Sequence, residues 1–173
     1  MSKVGKKFPD ISVNAMNEMG DTFKINVLQE ALENKKKIIL FWYPKDFTFV
    51  CPTEIHAFQS KLSEFEKRNT MVIGASCDTP EVHFAWLSTP KDNGGIEGVT
   101  FPLIADSTRH LSETLDILDT EYVGTEENYS IEGDNVSYRA TFLIDEEGTI
   151  FHESVNVMPL GRNVDEYLRL IDG

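Results

Sequence analysis

A chain of 173 residues, 40% hydrophobic and 26% charged, has the size and composition of one globular domain over 1–173 with a core of its own. Its formal net charge of −13 argues against a nucleic-acid or anionic-membrane surface, either of which needs a basic patch. No apolar run approaches the ~20 residues of a membrane span, and Lys3 and Lys6 have no apolar signal core behind them, so the expected compartment is the cytoplasm with its reduced thiols.

Extended segments are predicted at Ile11–Ala15 and Thr22–Ile25 with a turn at Gly20-Asp21, then a short helix over Val27–Glu33. The continuous apolar run Ile38–Tyr43 suits a strand buried on both faces. Ile55, Phe58, Leu62 and Phe65 recur at helical spacing, which predicts one helix over 52–69 opened by Pro52 and closed by Asn69. Met71–Ser76 reads as a second buried strand. Asp78 or Thr79 caps a helix containing Phe84 and Trp86. Val99–Ala105 is a third strand, followed by a helix capped by Asp106 and carrying Leu111, Leu115 and Leu118. Tyr138–Ile144 and Thr149–Val155 flank the turn Asp145–Gly148. Asn163 and Glu166 form a capping pair for a last helix with Val164, Leu168 and Ile171 inward. Strands alternating with helices, then a hairpin and a helix, predict an α/β three-layer sandwich with an N-terminal β-hairpin and a central mixed sheet, an order that fits a thioredoxin-like fold.

Chemistry concentrates in residues 41–54. A buried strand ends at Pro44, and a helix begins near Pro52, so Cys51 sits at a helix N-terminus. Free backbone N–H groups and the helix dipole favour negative charge there. A free thiol with a pKa of ~8.5 is a few per cent thiolate at pH 7, whereas a pKa near ~6 makes it roughly 90% thiolate. Thr48 can aim a hydroxyl at the same point. The competing reading of Cys51 is a buried apolar cysteine.

Pro44-x-x-x-Thr48-x-x-Cys51 resembles the peroxiredoxin active-site motif, and Asp46-Phe-Thr-Phe-Val-Cys-Pro-Thr-Glu54 resembles its typical two-cysteine subgroup, which includes the alkyl hydroperoxide reductase C proteins. Further blocks are similar to the same family: Trp86–Pro90 with Gly94-Gly95-Ile96, Phe101–Asp106, Arg139–Asp145 and Gly161–Glu166. The resemblance implies that Cys51 attacks peroxide and that Thr48 hydrogen-bonds thiolate and peroxide. It implies a positive charge from Arg139 over both, and Pro44 covering the pocket. It further implies that Glu54 orients an arginine by a two-pronged ion pair and that Arg162 is the second arginine of that network; Trp86 is either its packing wall or plain core. No metal and no cofactor are implied. The implied partners are a peroxide, a thiol reductant and a second copy in a homodimer, with a decamer beyond it. The expected pairing edge is the strand near Thr149–Val155.

Two departures stand out. The subgroup carries a resolving cysteine in a C-terminal tail, whereas the only other cysteine here is Cys77 at the end of a predicted strand. Packing is its expected role, because resolving Cys51 needs α-carbons within ~7 Å. A one-cysteine enzyme reduced by an external thiol is therefore expected, with a sequence cut short before a native tail as the alternative. The second departure is the acidic stretch 119–135, longer than the family link and expected to be a mobile surface insertion, with gating of the pocket or remodelling of an interface as the alternatives.

A thioredoxin-type disulfide oxidoreductase needs Cys-x-x-Cys at this junction, and Glu54 at the second position weakens that reading. His56, His83, His110 and His152 lack zinc-ligand spacing and read as surface or satisfied histidines. A peroxide sensor or a holdase on the same fold shares the first chemical step, or the fold alone, and differs in turnover.

Overall fold

The computed structural model describes residues 2–47, 51–156 and 162–173, with Cys51 described by its backbone. Its centre is β3 (Lys37–Trp42), whose alternate side chains feed opposite cores. Ile38, Leu40 and Trp42 enter one core with Val27 and Ala31 of α1 (Val27–Asn34) and Leu111 of α5 (His110–Thr114). Ile39, Phe41 and the following Tyr43 enter the other. There they meet Ile55 and Phe58 of α2 (Cys51–Ser60), Phe65 of α3 (Leu62–Lys67), Trp86 of α4 (Pro80–Leu87) and the apolar face of α6 (Val164–Asp172). A strand with no polar face must be covered twice, and helices on both sides give the three layers.

The sheet has seven strands in the order β2-β1-β5-β4-β3-β8-β9. β3 runs parallel to β4 (Thr70–Ser76), which runs parallel to β5 (Leu103–Ala105). The N-terminal hairpin of β1 (Ser12–Met16) and β2 (Thr22–Asn26) adds antiparallel to β5. On the other side β3 pairs antiparallel with β8 (Arg139–Ile144), and β9 (Ile150–Asn156) forms the edge. The predicted fold class, hairpin and mixed sheet are all present.

Four local expectations need correction. The helix predicted over 52–69 is two helices with a break at Lys61; the Ser60 hydroxyl donates to the Ala57 carbonyl (2.8 Å), a back-bond that competes with the helical ladder. The strand predicted over Val99–Ala105 shortens to Leu103–Ala105, because Pro102 has no N–H to donate, although its carbonyl still accepts from the Gly74 N–H (3.1 Å). Leu118 lies beyond α5 and bridges to Ser137. Asn163 does cap α6, accepting from the Asp165 N–H (3.1 Å), but the Glu166 carboxylate turns to Arg169 rather than closing a capping box.

Turn chemistry otherwise follows the residues. Asp145 Oδ1 accepts from the Glu147 and Thr149 N–H groups (both 2.9 Å), and Gly148 takes φ +80°. A Cβ at Gly148 would lie 2.2 Å from Leu28 Cδ1, so both conformation and space require glycine. Residues 119–135 are not an irregular loop. They carry the antiparallel pair β6 (Glu121–Gly124) and β7 (Tyr129–Glu132), exposed along its whole length.

Candidate active site

The site forms where β3 ends. Tyr43 and Pro44 continue the strand into a buried turn, Asp46 is buried, and Cys51 is the first residue of the ten-residue helix α2. The helix start and the end of the central strand therefore converge as expected for Cys51. Thr48 and the Cys51 side chain lie outside the described residues.

One helical turn on, Glu54 is buried and gathers two guanidinium groups. Arg139, at the start of β8, places Nη1 3.5 Å from Glu54 Oε1. Arg162 places Nε 3.0 Å from the same oxygen, and its backbone N–H donates to Glu54 Oε2 at 3.1 Å. The Arg139 and Arg162 side chains are 3% and 1% exposed. Two positive charges and one negative charge are thus held beside the first turn of α2, a net positive environment out of water. The expected two-pronged pair is replaced by a shared carboxylate, with the second oxygen serving the backbone.

Arg162 is fixed further by β3 and β8. It donates to the carbonyl of Trp42 and, at 3.5 Å, to that of Ala140. Its guanidinium carbon lies 5.4 Å from the centroid of the Phe41 ring, a cation–π distance. Phe41 is therefore an aromatic wall of the arginine cluster, and the contacts of Trp86 fit its reading as core. Trp86 is buried against Tyr43 and Phe47, with centroids at 5.8 and 5.9 Å, and its indole N–H donates to the Gly94 carbonyl (2.9 Å). It braces the turn leading to Cys51.

A second buried network was not anticipated from sequence. The Tyr43 hydroxyl donates to Asp46 Oδ1 (2.7 Å), Asp46 Oδ2 lies 2.6 Å from His83 Nδ1, and His83 Nε2 lies 2.9 Å from the Ile104 carbonyl. That carbonyl can only accept, so Nε2 carries a proton. Burial alone would lower the His83 pKa; the hydrogen bond and attraction of Asp46 overcome it and hold it above the ordinary value. Burial raises Asp46 and His83 opposes the rise, so the pair retains its proton to higher pH than a free histidine. Burial and Asp46 also push the Tyr43 phenol well up, leaving it a neutral donor. Asp78 completes the turn, accepting from the Asp46 N–H (2.8 Å) and the Ser76 hydroxyl (2.6 Å). Asp46, Asp78 and His83 put oxygen and nitrogen atoms within 4.8 Å of one another, but those atoms already bond one another and their neighbours. His83 is the satisfied histidine that its sequence context suggested.

Beside α2 a cleft of about 400 Å³ is lined by Phe47, Pro52, Thr53, His56, Lys91 and Asn93, with Gly94. His56 Nε2 lies 3.1 Å from the Gly95 carbonyl, and a Cβ on Gly95 would fall 1.9 Å from the Thr89 carbonyl oxygen. The Gly94-Gly95 segment thus closes directly onto α2 and α4. Cys77 lies elsewhere. It is buried at the end of β4, with Sγ 3.5 Å from the Ser112 hydroxyl of α5, and burial raises its thiol pKa. α5 packs into the Leu40–Trp42 core, whereas α2 packs into the Phe41–Tyr43 core on the other face of the sheet.

Residues 4–153 match the AhpC/TSA family. The alkyl hydroperoxide reductase C of Helicobacter pylori is 41% identical over 172 residues, which are 99% of this chain and 78% of that protein. Peroxiredoxin-1 of Gekko japonicus is 40% identical over 168 residues, 97% of this chain and 73% of that one. Among solved structures, the reduced 2-Cys peroxiredoxin of Plasmodium vivax superposes with a TM-score of 0.86 at 37% identity, covering 99% of this chain and 81% of that chain. The fold, and a family match that spans the strand-end turn, the helix it feeds and the buried arginine of β8, agree: this chain belongs to the AhpC/TSA family and is a peroxiredoxin, a thiol-dependent peroxidase.

Proposed function

We propose that Cys51 is the peroxidatic nucleophile and that it turns over by a one-cysteine route. The observation that carries this reading is the convergence of Arg139 and Arg162 on Glu54, in the first turn of the helix that Cys51 begins. The helix N-terminus and the buried positive charge both stabilise a thiolate. The sulfur attacks one peroxide oxygen, the O–O bond breaks, and its electron pair leaves on the distal oxygen. That oxygen takes the proton shed by the thiol, giving water or an alcohol. Sulfur is oxidised by two electrons to a sulfenic acid. Arg139 stabilises the charge moving between the oxygens, Thr48 donates to the reacting pair, and Pro44 keeps water out. Glu54 and Arg162 are positioning residues, and Trp86 braces the loop.

An external thiol then condenses with the sulfenic acid, releasing water and leaving a mixed disulfide. A second thiol displaces it and restores the Cys51 thiol. The buried, weakly acidic thiol of Cys77, on the opposite face of the sheet, supports an external reductant. A cytoplasmic compartment suits this chemistry. For assembly we propose pairing of two copies through β9, whose outer edge is joined by the N-terminal segment at Gly5 and Lys6 around Ile150 but at no backbone position beyond it among the described residues.

Hydrogen peroxide consumption driven by dithiothreitol tests the reading. Wild type and Cys77→Ser are expected to turn over, and Cys51→Ser to be inactive. One equivalent of peroxide consumed without turnover would favour a sensor instead. A high yield of an intramolecular Cys51–Cys77 disulfide after peroxide treatment, seen by mass spectrometry, would overturn the one-cysteine route.

A further inference from the structure

The β6–β7 hairpin has a composition and geometry that the peroxide chemistry does not use. Its register pairs Tyr122 with Ile131 and Gly124 with Tyr129, so these four positions share one face. Tyr122, Tyr129 and Ile131 are 62%, 56% and 56% exposed. The two tyrosine rings meet edge to face at 5.7 Å. A two-stranded hairpin that buries neither face gains little from packing. It is held instead at its root. The Asp119 N–H donates to the Val136 carbonyl (2.8 Å), the Asn135 N–H to the Asp119 carbonyl (2.9 Å), and Arg109 Nε to the Asn135 carbonyl (2.8 Å). Rigid anchoring of an arm with an open aromatic face is what a docking element needs.

Its electrostatics indicate what docks. From His110 to Tyr138 the chain carries eight acidic residues and neither lysine nor arginine. Glu121 and Glu132 are directly opposite one another across the strands, an arrangement that repels in isolation and favours a cation between them. On the aromatic face, a cleft of about 390 Å³ is lined by Tyr122, Gly124, Thr125, Glu126 and Tyr129. Two aromatic rings with a carboxylate at the rim fit the apolar stem and charged head of a lysine or arginine. A second copy of the same chain, with a net charge of −13, is a poor electrostatic match.

The root leads to the site. The Ser137 hydroxyl donates to the Tyr43 carbonyl (3.1 Å), and Arg139 follows two residues later. We propose that this hairpin is a docking arm for the thiol protein that reduces Cys51, and that it takes a basic segment of that protein with a lysine or arginine side chain in the Tyr122–Tyr129 cleft. This rests on the one-cysteine reading, in which the thiol that reduces Cys51 comes from another protein.

The probes are two fluorophore-labelled synthetic peptides, each with one cysteine, one of alternating lysine and valine and one of alternating glutamate and valine. Anisotropy with the full chain is expected to show roughly tenfold tighter binding of the lysine peptide at low ionic strength, weakening with added salt. Glu126→Lys should remove that preference and Tyr129→Ser should weaken binding. Peroxide-oxidised wild type should be reduced faster by the lysine peptide thiol than by the glutamate one, while dithiothreitol reduces wild type and Glu126→Lys alike. Equal binding of both peptides, or binding unchanged in Glu126→Lys, overturns the proposal. So does a loss of self-association in either variant by sedimentation velocity without any change in peptide binding, because a second copy then covers the face. A wild type that binds the lysine peptide selectively but consumes no peroxide with dithiothreitol overturns the peroxidase reading and leaves the basic docking face standing.

Discussion

The Glu54 cluster and the β6–β7 hairpin are both concentrations of charge, and they are built by opposite rules. In the first, one carboxylate is shut away from water between two guanidiniums, a backbone N–H and an aromatic ring. In the second, like charges stand in solvent with no basic residue in the same stretch of chain. A buried charge must be matched locally, because an unpaired one is too costly to keep. An exposed charge is screened within about 10 Å in ~0.1 M salt, so it can be left unmatched and act on what approaches. The contrast separates residues that hold the molecule together from residues that address it to others.

Breaking the buried side should have the largest effect. Glu54→Ala strands two buried guanidiniums and is expected to cost about 3–5 kcal/mol. Urea unfolding measures this, and a loss below ~1 kcal/mol would place the cluster in water after all. The Tyr43–Asp46–His83 network should give the next largest effect, as a pH dependence. The folded His83 pKa is raised above its unfolded value near ~6.5, so its contribution is complete below that pH and is lost as pH rises through the folded value. Asp46, raised by burial, acts in the same direction. Asp78 and Tyr43 also face this group, Asp78 adding to the rise at both residues. Wild type should therefore lose stability above neutrality with a slope of up to about 1.4 kcal/mol per pH unit relative to His83→Gln. Parallel stability curves for the two proteins would contradict a shared proton.

Smaller again is Asn163→Ala, which removes the cap of α6 and should cost about 1 kcal/mol in the same unfolding assay. The smallest effect should come from the exposed side. Glu126→Lys is expected to move the melting temperature by no more than about 2 °C. A larger shift would mean that the hairpin's charge belongs to the fold and would erase the distinction between the two regions.

How far each region was legible in the sequence follows from the range over which its signal acts. The six-residue apolar run of β3 and the Asp145–Gly148 turn announce themselves locally, and both stand within a residue of expectation. Cys51 at a strand-to-helix junction was legible for the same reason. The break at Lys61 was not, since Ile55, Phe58, Leu62 and Phe65 keep helical spacing across it while the Ser60 back-bond acts on the backbone. Acidity hid the hairpin at 121–132: its charges suggested a mobile surface insertion, while Tyr122, Val123, Tyr129 and Ile131 had ordinary strand preference. The Asp46–His83 pair joins positions 37 apart with no motif between them, and only the meeting of α4 with the turn after β3 reveals it. For Trp86 the sequence left wall and core open, while alternation along β3 already sends Phe41 to the face that Arg162 covers.

The shared carboxylate also sets a timetable for synthesis. Glu54 meets Arg139 from 85 positions away and the Arg162 backbone from 108. A growing polypeptide therefore displays its Cys51 helix long before either guanidinium has been translated. Until β8 and the residues that lead into α6 have been made, the two positive charges beside the first turn of α2 are absent.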